Sequence, residues 1–376
     1  MNNEKVVNEK VVNEKRNFDW SILSTYRNEI FGVSIIGIMI FHYVNPLANL
    51  NLPRAIKYVV HFFNDMVGAT GVEVFLFLSG MGLCFSMNKD SNVLRFYKRR
   101  FTRLLIPYAI WGGFYWILKD MIFFDLGFKR VLYDFFFISF WRDGCVNLWF
   151  IAFIILMYLV YPFIYYCFKK DNKYRTLLFI LSLIFSYLVI ERLQVIAPNF
   201  FANTKFAFFR VPIFLLGSYY GQKIYDKEKF NVIDVILVIS GWVLNVLLVL
   251  CYRANIFTFM RKINSEYIKD IYAFGIVVVL AIIFNYARKT VINIFLIVVG
   301  ALSLELYMTH VNIRRVMSLQ GFRLENPFWY GVCILIAIVA SIALNKLCKL
   351  IDAFLLKKKT YKGLKKRLPK YKKAYK

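Results

Sequence analysis

From Glu29 onward the chain alternates long apolar runs with short polar breaks, most of them basic. The runs cover 29–48, 69–88, 104–124, 147–168, 175–195, 207–224, 231–252, 269–287, 292–313 and 328–355, each near the roughly 20 residues that cross ~30 Å of hydrocarbon. Backbone N–H and C=O groups find no water inside a bilayer, so such runs predict helices that satisfy their own hydrogen bonds. The pattern predicts an all-α fold, a polytopic membrane helical bundle of about ten transmembrane helices. The third, fourth and sixth runs have the least sharply defined edges. The stretch 129–141, KRVLYDFFFISFW, is apolar but too short to span. It is expected in the outer interface, with Trp141 and its phenylalanines at headgroup depth. No loop is long enough to hold a soluble domain.

The polar breaks give the bundle a direction. Counted from a cytoplasmic N-terminus, the inner breaks are 95–103, 169–175, 223–229, 288–289 and the tail from Lys357, all rich in Lys and Arg as cytoplasmic loops are. Arg253, Arg261 and Lys262 fall outside and are the main exception, partly balanced by Glu266 and Asp270. An even number of spans with both termini cytoplasmic fits best. The N-terminal residues repeat VVNEK and lack the apolar core of a cleavable signal peptide. The expected division is therefore a low-complexity cytoplasmic arm (1–26), a transmembrane domain (27–356) and a polybasic cytoplasmic tail (357–376).

Composition adds that lipid is part of the solvent. The chain is 60% hydrophobic with mean hydropathy +0.55, against about 45–50% apolar in soluble domains. Its 39 Phe and 25 Tyr suit lipid contact and interfacial belts. A net charge of +27 raises nucleic acid as a partner. The densest basic block, however, directly follows an apolar run, where it reads as juxtamembrane and near anionic lipid. No nucleic-acid-binding motif accompanies it, so no nucleic-acid partner is expected. The 6 cysteines form neither a CxxC nor a Cys/His set. They read as small apolar side chains, and no metal site is expected.

Ionisable groups within apolar runs are costly in lipid, so each is a candidate for function. His42 lies in IFGVSIIGIMIFHYVNP, an otherwise uncharged run. A neutral imidazole there takes and returns a proton, or merely hydrogen-bonds backbone or water. Glu73 sits early in the second run and Glu305 in the ninth, which also carries His310. Glu305 and His310 lie roughly 140° apart on a helix, whereas Ser303, Tyr307 and His310 share one side. That side either lines a polar path or makes interhelical hydrogen bonds. Arg100 and Arg103, spaced i, i+3 beside Arg99, have the guanidinium geometry that grips phosphate, and they also satisfy the ordinary cytoplasmic charge bias. Arg210 opens the sixth run at its outer end, to bind a polar acceptor or to snorkel.

Several segments, in order, resemble the acyltransferase 3 family of integral-membrane acyltransferases, from about Tyr26 to Asn312. The first helix resembles the family's Arg-to-His helix, with His42 in the His position. GVEVFLFLSG, with Glu73 and Ser79, resembles its GV-acid-FF-LSG segment. FYKRRFTRLLIPY places Arg100 and Arg103 on its RxxR arginines. NLWFIAFIILMYLVYP, RVPIFLLGSYYG with Arg210, and SLELYMTH resemble later segments. The family commonly has an arginine eleven residues before the histidine, where this chain has Phe31. Arg27 lies one turn earlier, about 40° away on nearly the same face.

The resemblance implies transfer of an acyl group, usually acetyl, from cytoplasmic acyl-CoA to a hydroxyl of an extracytoplasmic glycan or lipid-linked oligosaccharide. Acetyl-CoA would be a co-substrate, with no permanently bound cofactor. His42, as base or as transient acyl carrier, and Glu73 are then the expected catalytic residues, and Arg99, Arg100 and Arg103 the expected acyl-CoA contacts. Ser79, Arg210, Glu305, Tyr307 and His310 are candidate acceptor or oxyanion contacts, and Arg27 a further candidate. A multi-pass protein of a bacterial plasma membrane, touching its lipids, is expected. A transporter or flippase of lipid-linked sugars is the competing reading. It explains the helices and buried carboxylates, but the RxxR before Pro-Tyr less well. A third reading is a purely structural or partner-binding membrane protein.

Overall fold

The computed structural model describes residues 19–47, 53–63, 70–229, 231–253, 263–287 and 290–371, with side chains omitted at 252–253, 263–264 and from 355 onward. The first eighteen residues, the 288–289 break, Arg261 and Lys262, and the side chains of Arg253 and of the basic tail lie outside this description. The structure is 87% helical, with no strand among the described residues. In chain order the helices are α1 (Ser21–Thr25), α2 (Arg27–Leu47), α3 (Arg54–Phe63), α4 (Gly71–Lys89), α5 (Val93–Ile117), α6 (Gly127–Phe135), α7 (Ile138–Asp143), α8 (Trp149–Phe168), α9 (Asn172–Ile196), α10 (Pro198–Phe208), α11 (Val211–Tyr225), α12 (Val232–Arg253), α13 (Ile263–Tyr286), α14 (Val291–Ala301), α15 (Ser303–Leu319) and α16 (Pro327–Tyr371). A π-helical stretch, Leu118–Phe123, continues α5.

Among the described residues, 8 helical segments are long and apolar enough to cross a membrane, and up to 9 if α14 and α15, bent by 71° at their junction, count as one span. The expected count of about ten also includes the run 104–124. The run 104–124 lies in α5 and its π-helical extension, but α5 opens with Arg95, Lys98, Arg99, Arg100 and Arg103. So much charge keeps that helix out of the apolar set. The sixth run is longer than its pattern suggests, because α10 and α11 together supply the span 198–225.

The chain forms two compact units. The first contains residues 1–96 and 159–301, the second 97–158 and 302–376. In the first unit α4 packs on α11 through glycines: a methyl on Gly80 would meet the Phe214 carbonyl, and one on Gly217 the Phe77 carbonyl. In the same way α2 packs on α14, Gly32 facing the Leu296 carbonyl and Gly300 that of Asn28. Lipid offers no hydrophobic push between helices, so such close backbone approach, with its dispersion energy, is what holds them. Buried Trp20, Phe77, Tyr220 and Phe274 form an aromatic cluster joining α4, α11 and α13. Trp20 and Leu23 are buried in this unit.

Two of the basic breaks at one end of this unit are ion-paired rather than free. Arg175 of α9 donates to Asp226 (2.6 Å) and Glu228. Lys223 of α11 donates to Asp234 of α12 (3.0 Å), which also accepts from Tyr220 (2.8 Å). The network ties three helix ends together.

In the second unit α15 and α16 run antiparallel, with Thr309 bonded to the Ala337 carbonyl (3.2 Å) and to Ser341 (2.7 Å). The stretch 129–141 forms the short pair α6 and α7. Tyr108 anchors it through the Phe135 carbonyl (2.6 Å), and Phe137 turns the chain in a left-handed conformation at φ 59°. Beneath it Lys119 bonds both Asp120 (2.8 Å) and Asp134 (2.9 Å). Burial alone would raise the Asp134 carboxyl, but the Ser139 hydroxyl, Lys119 and Arg130 hold it below the ordinary carboxylate value.

Candidate functional site

In the first unit α2 and α4 run side by side in opposite directions. Gly71 packs against Ser34 and Ile38, Phe75 against Phe31 (ring centroids 5.0 Å), and Gly82 against Arg27. His42, one turn beyond Ile38, therefore belongs to the same end of the unit as Glu73, and Arg27 to the other end. His42 is half-buried, its ring 5.7 Å from that of Phe41. The Arg27 guanidinium lies 5.2 Å from the Phe31 ring centroid, and a methyl on Gly82 would meet its Nη2 at 2.6 Å. Arg27 thus lies along the face that Phe31 shares.

Glu73, 1% exposed, accepts an ion-paired hydrogen bond of 2.8 Å from Arg210. Arg210 stands at the N-terminal end of α11, where Pro212 suits the first helical turn, and it also donates to the Phe206 carbonyl (2.8 Å). The two residues lie far apart in the chain, and the close α4–α11 crossing brings them together. The first turns of α13 complete the cluster. Lys269 bonds Glu266 (2.8 Å), and both act electrostatically on Glu73 and on Asp270. Asp270 is buried, and its Oδ2 has no hydrogen-bond partner. Sequence reasoning treated Glu266 and Asp270 only as loop charges. Their position at the edge of the eighth apolar run hid them, although SEYIKD carries three charged residues within one and a half turns. Ser79 is half-buried on α4 beside the Gly80 crossing.

The remaining candidates belong to the second unit. On α5, Arg99 and Arg103 are exposed, and Arg100 is half-buried with its Nε shielded from solvent. Their i, i+3 spacing puts Arg100 and Arg103 near one face, with Arg99 turned about 100° away. On α15, Glu305 accepts from Asn345 of α16 (2.7 Å). Tyr307 stands edge-on to Phe150 (5.2 Å), with His310 at 6.3 Å. His310 donates through Nδ1 to the Leu306 carbonyl at 2.6 Å. Asn312, 1% exposed, has no hydrogen-bond partner for either carboxamide atom, and Arg314 follows on the Ser303–Tyr307–His310 stripe. Both were missed because they lie just past the apolar core of the ninth run, where polar residues are ordinary.

The predicted residues thus fall into separate sets. His42, Glu73 and Arg210 share one end of the first unit, and Arg27 lies at its opposite end. Arg99, Arg100, Arg103, Glu305, Tyr307 and His310 belong to the second unit. An imidazole at the same end of the unit as a buried Glu–Arg pair suits proton transfer at an oriented group, and a guanidinium pair on a helix suits a phosphate. Comparison with curated proteins and with solved structures gives no match. The family model described as an acyltransferase domain matches residues 32–346, nearly the whole chain, and this multi-pass membrane protein therefore belongs to the acyltransferase 3 family.

Proposed function

We propose that the protein, in a bacterial plasma membrane, transfers an acetyl group from cytoplasmic acetyl-CoA to a hydroxyl of an extracytoplasmic glycan or lipid-linked oligosaccharide. The observation that carries this reading is the buried Glu73–Arg210 pair at the same end of its unit as His42. In this scheme His42 removes the acceptor O–H proton as the oxygen attacks the thioester carbonyl. The C–O bond forms, the C–S bond breaks, and the CoA thiolate leaves and is protonated. Glu73 fixes the Arg210 guanidinium, whose remaining N–H groups are available to the acceptor or to the oxyanion that develops on the thioester oxygen. Arg100 and Arg103, with Arg99, hold the donor's phosphates.

Purified protein given acetyl-labelled CoA and a surface-glycan fraction should transfer label to the glycan, and a His42→Ala variant should not. Transport of lipid-linked sugar with no label transferred would establish the competing reading instead.

A further inference from the structure

Between α2 and α4 the chain forms α3, RAIKYVVHFF, ten residues that no step of the proposed reaction uses. An α-helix rises about 1.5 Å per residue, so α3 is roughly 15 Å long, half of what crosses the hydrocarbon layer. Its place is fixed from both sides. Helix α2 ends at Leu47 and α4 begins at Gly71, and both are long and apolar enough to cross a membrane. The connections 48–53 and 64–70 reach at most about 25 Å even fully extended. Helix α3 also packs on α2, and its Val60 is buried. It therefore lies at one membrane face, at the end of the unit that carries His42 and Glu73.

The rest of its surface is divided in two. At about 100° per residue, Tyr58, Phe62, Val59 and Ile56 cover an arc of roughly 160°, and Lys57, His61 and Arg54 a separate strip of roughly 60°. The four apolar side chains are between 51% and 67% exposed. Arg54 and Lys57 are exposed too, and their side chains meet no acid among the described residues. Facing water, four large apolar side chains gathered on so short a helix would make a patch that soluble surfaces avoid. Beside two spanning helices, lipid is there to cover them. An apolar arc with a basic strip along it is the pattern of helices that lie flat in the interface, the arc among the upper acyl chains and the strip at the phosphates.

We propose that α3 lies in the plane of the membrane interface and binds an anionic lipid surface, with Ile56, Tyr58, Val59 and Phe62 among the acyl chains and Arg54, Lys57 and His61 at the headgroup phosphates. This holds the His42 end of the unit at headgroup depth. The binding does not depend on the proposed reaction, only on the place of α2 and α4 in the membrane.

The test is residue-resolved labelling of the full chain, one copy per lipid nanodisc, in phosphatidylcholine alone and with phosphatidylglycerol added. Hydroxyl radicals oxidise the side chains that water reaches. Tyr58 and Phe62 should be oxidised about tenfold more slowly than in the same peptide cut from the chain, because acyl chains cover them. Lys57 should react with an amine-directed anhydride in phosphatidylcholine, and about threefold more slowly once phosphatidylglycerol is present, because an anionic surface stabilises its ammonium form. The proposal is overturned if Tyr58 and Phe62 are oxidised as fast in the nanodisc as in the cut peptide. It is overturned equally if they are protected only in discs holding two copies, which would make the face a contact between copies, or if the Lys57 rate ignores phosphatidylglycerol.

Discussion

An imidazole inside an apolar helix is legible in sequence because nothing around it competes for notice, and His42 stood out on that ground alone. Its partners were not legible. Glu73 and Arg210 each looked like a single misplaced charge, and only the packing of α4 on α11 makes them a pair at 2.8 Å. Two consequences belong at this scale. His42→Ala should lower acyl transfer by about 10²–10⁴, the range for loss of a positioned base. Retention of more than roughly a third of the activity at equal membrane abundance would show that His42 is not that base. Arg210→Ala should destabilise the protein by about 3–5 kcal/mol, since it leaves the Glu73 carboxylate buried without its counter-charge. Adding Glu73→Gln to Arg210→Ala should restore much of that loss in a thermal-unfolding cycle. A double variant no more stable than Arg210→Ala would mean that the two side chains are not energetically coupled.

At the scale of elements, the apolar runs marked where helices lie but not how they break. Hydropathy records burial in lipid, not direction. The 71° bend between α14 and α15 falls inside what reads as one continuous run, and the join of α10 to α11 falls just inside the sixth run, most of α10 lying before it. Helix α3 escaped notice for a related reason. Its ten residues are too few to span, and they divide into an exposed apolar side with Ile56, Val59 and Phe62 and a polar side with Arg54, Lys57 and His61. A search for long runs passes over such a segment, although the 3.6-residue period is plain in it. Helix α5 is the opposite case: its basic first half was legible, and it is what removes α5 from the set of apolar spans. If that half holds the donor, Arg103→Ala should weaken the apparent affinity for acetyl-CoA by about 1.5–3 kcal/mol, and Arg103→Lys by less. Steady-state titration of the donor measures this directly. An unchanged half-saturation in Arg103→Ala would leave the arginine with only an orienting role in the membrane.

For the whole molecule, the sequence foretold the class of fold and the family, because both rest on features spread along the chain. A repeated span length and several short segments in fixed order survive the loss of any one of them. Division into two interleaved units was not foretold. It depends on where helices pack, and each of the helices α5 and α8 contributes to both units. Orientation across the bilayer is the remaining expectation, and the distribution of Lys and Arg is what supports it. Arg175 and Lys223, counted among the inner positive charges, are ion-paired with Asp226, Glu228 and Asp234. Such pairing leaves the bias standing, because it follows Lys and Arg rather than net charge. The basic stretch at the start of α5 and the tail beyond Lys357 each adjoin a span end, where Lys and Arg weigh most. Both lie on the same side in a bundle with an even number of crossings. A reporter fused after Lys376 should therefore behave as cytoplasmic, and one inserted near Asn51 as external. An external signal from the C-terminal fusion would mean an odd number of crossings or an inverted bundle. Inversion would place Arg100 and Arg103 on the side where no acyl-CoA is found, so the donor assignment would fall with it.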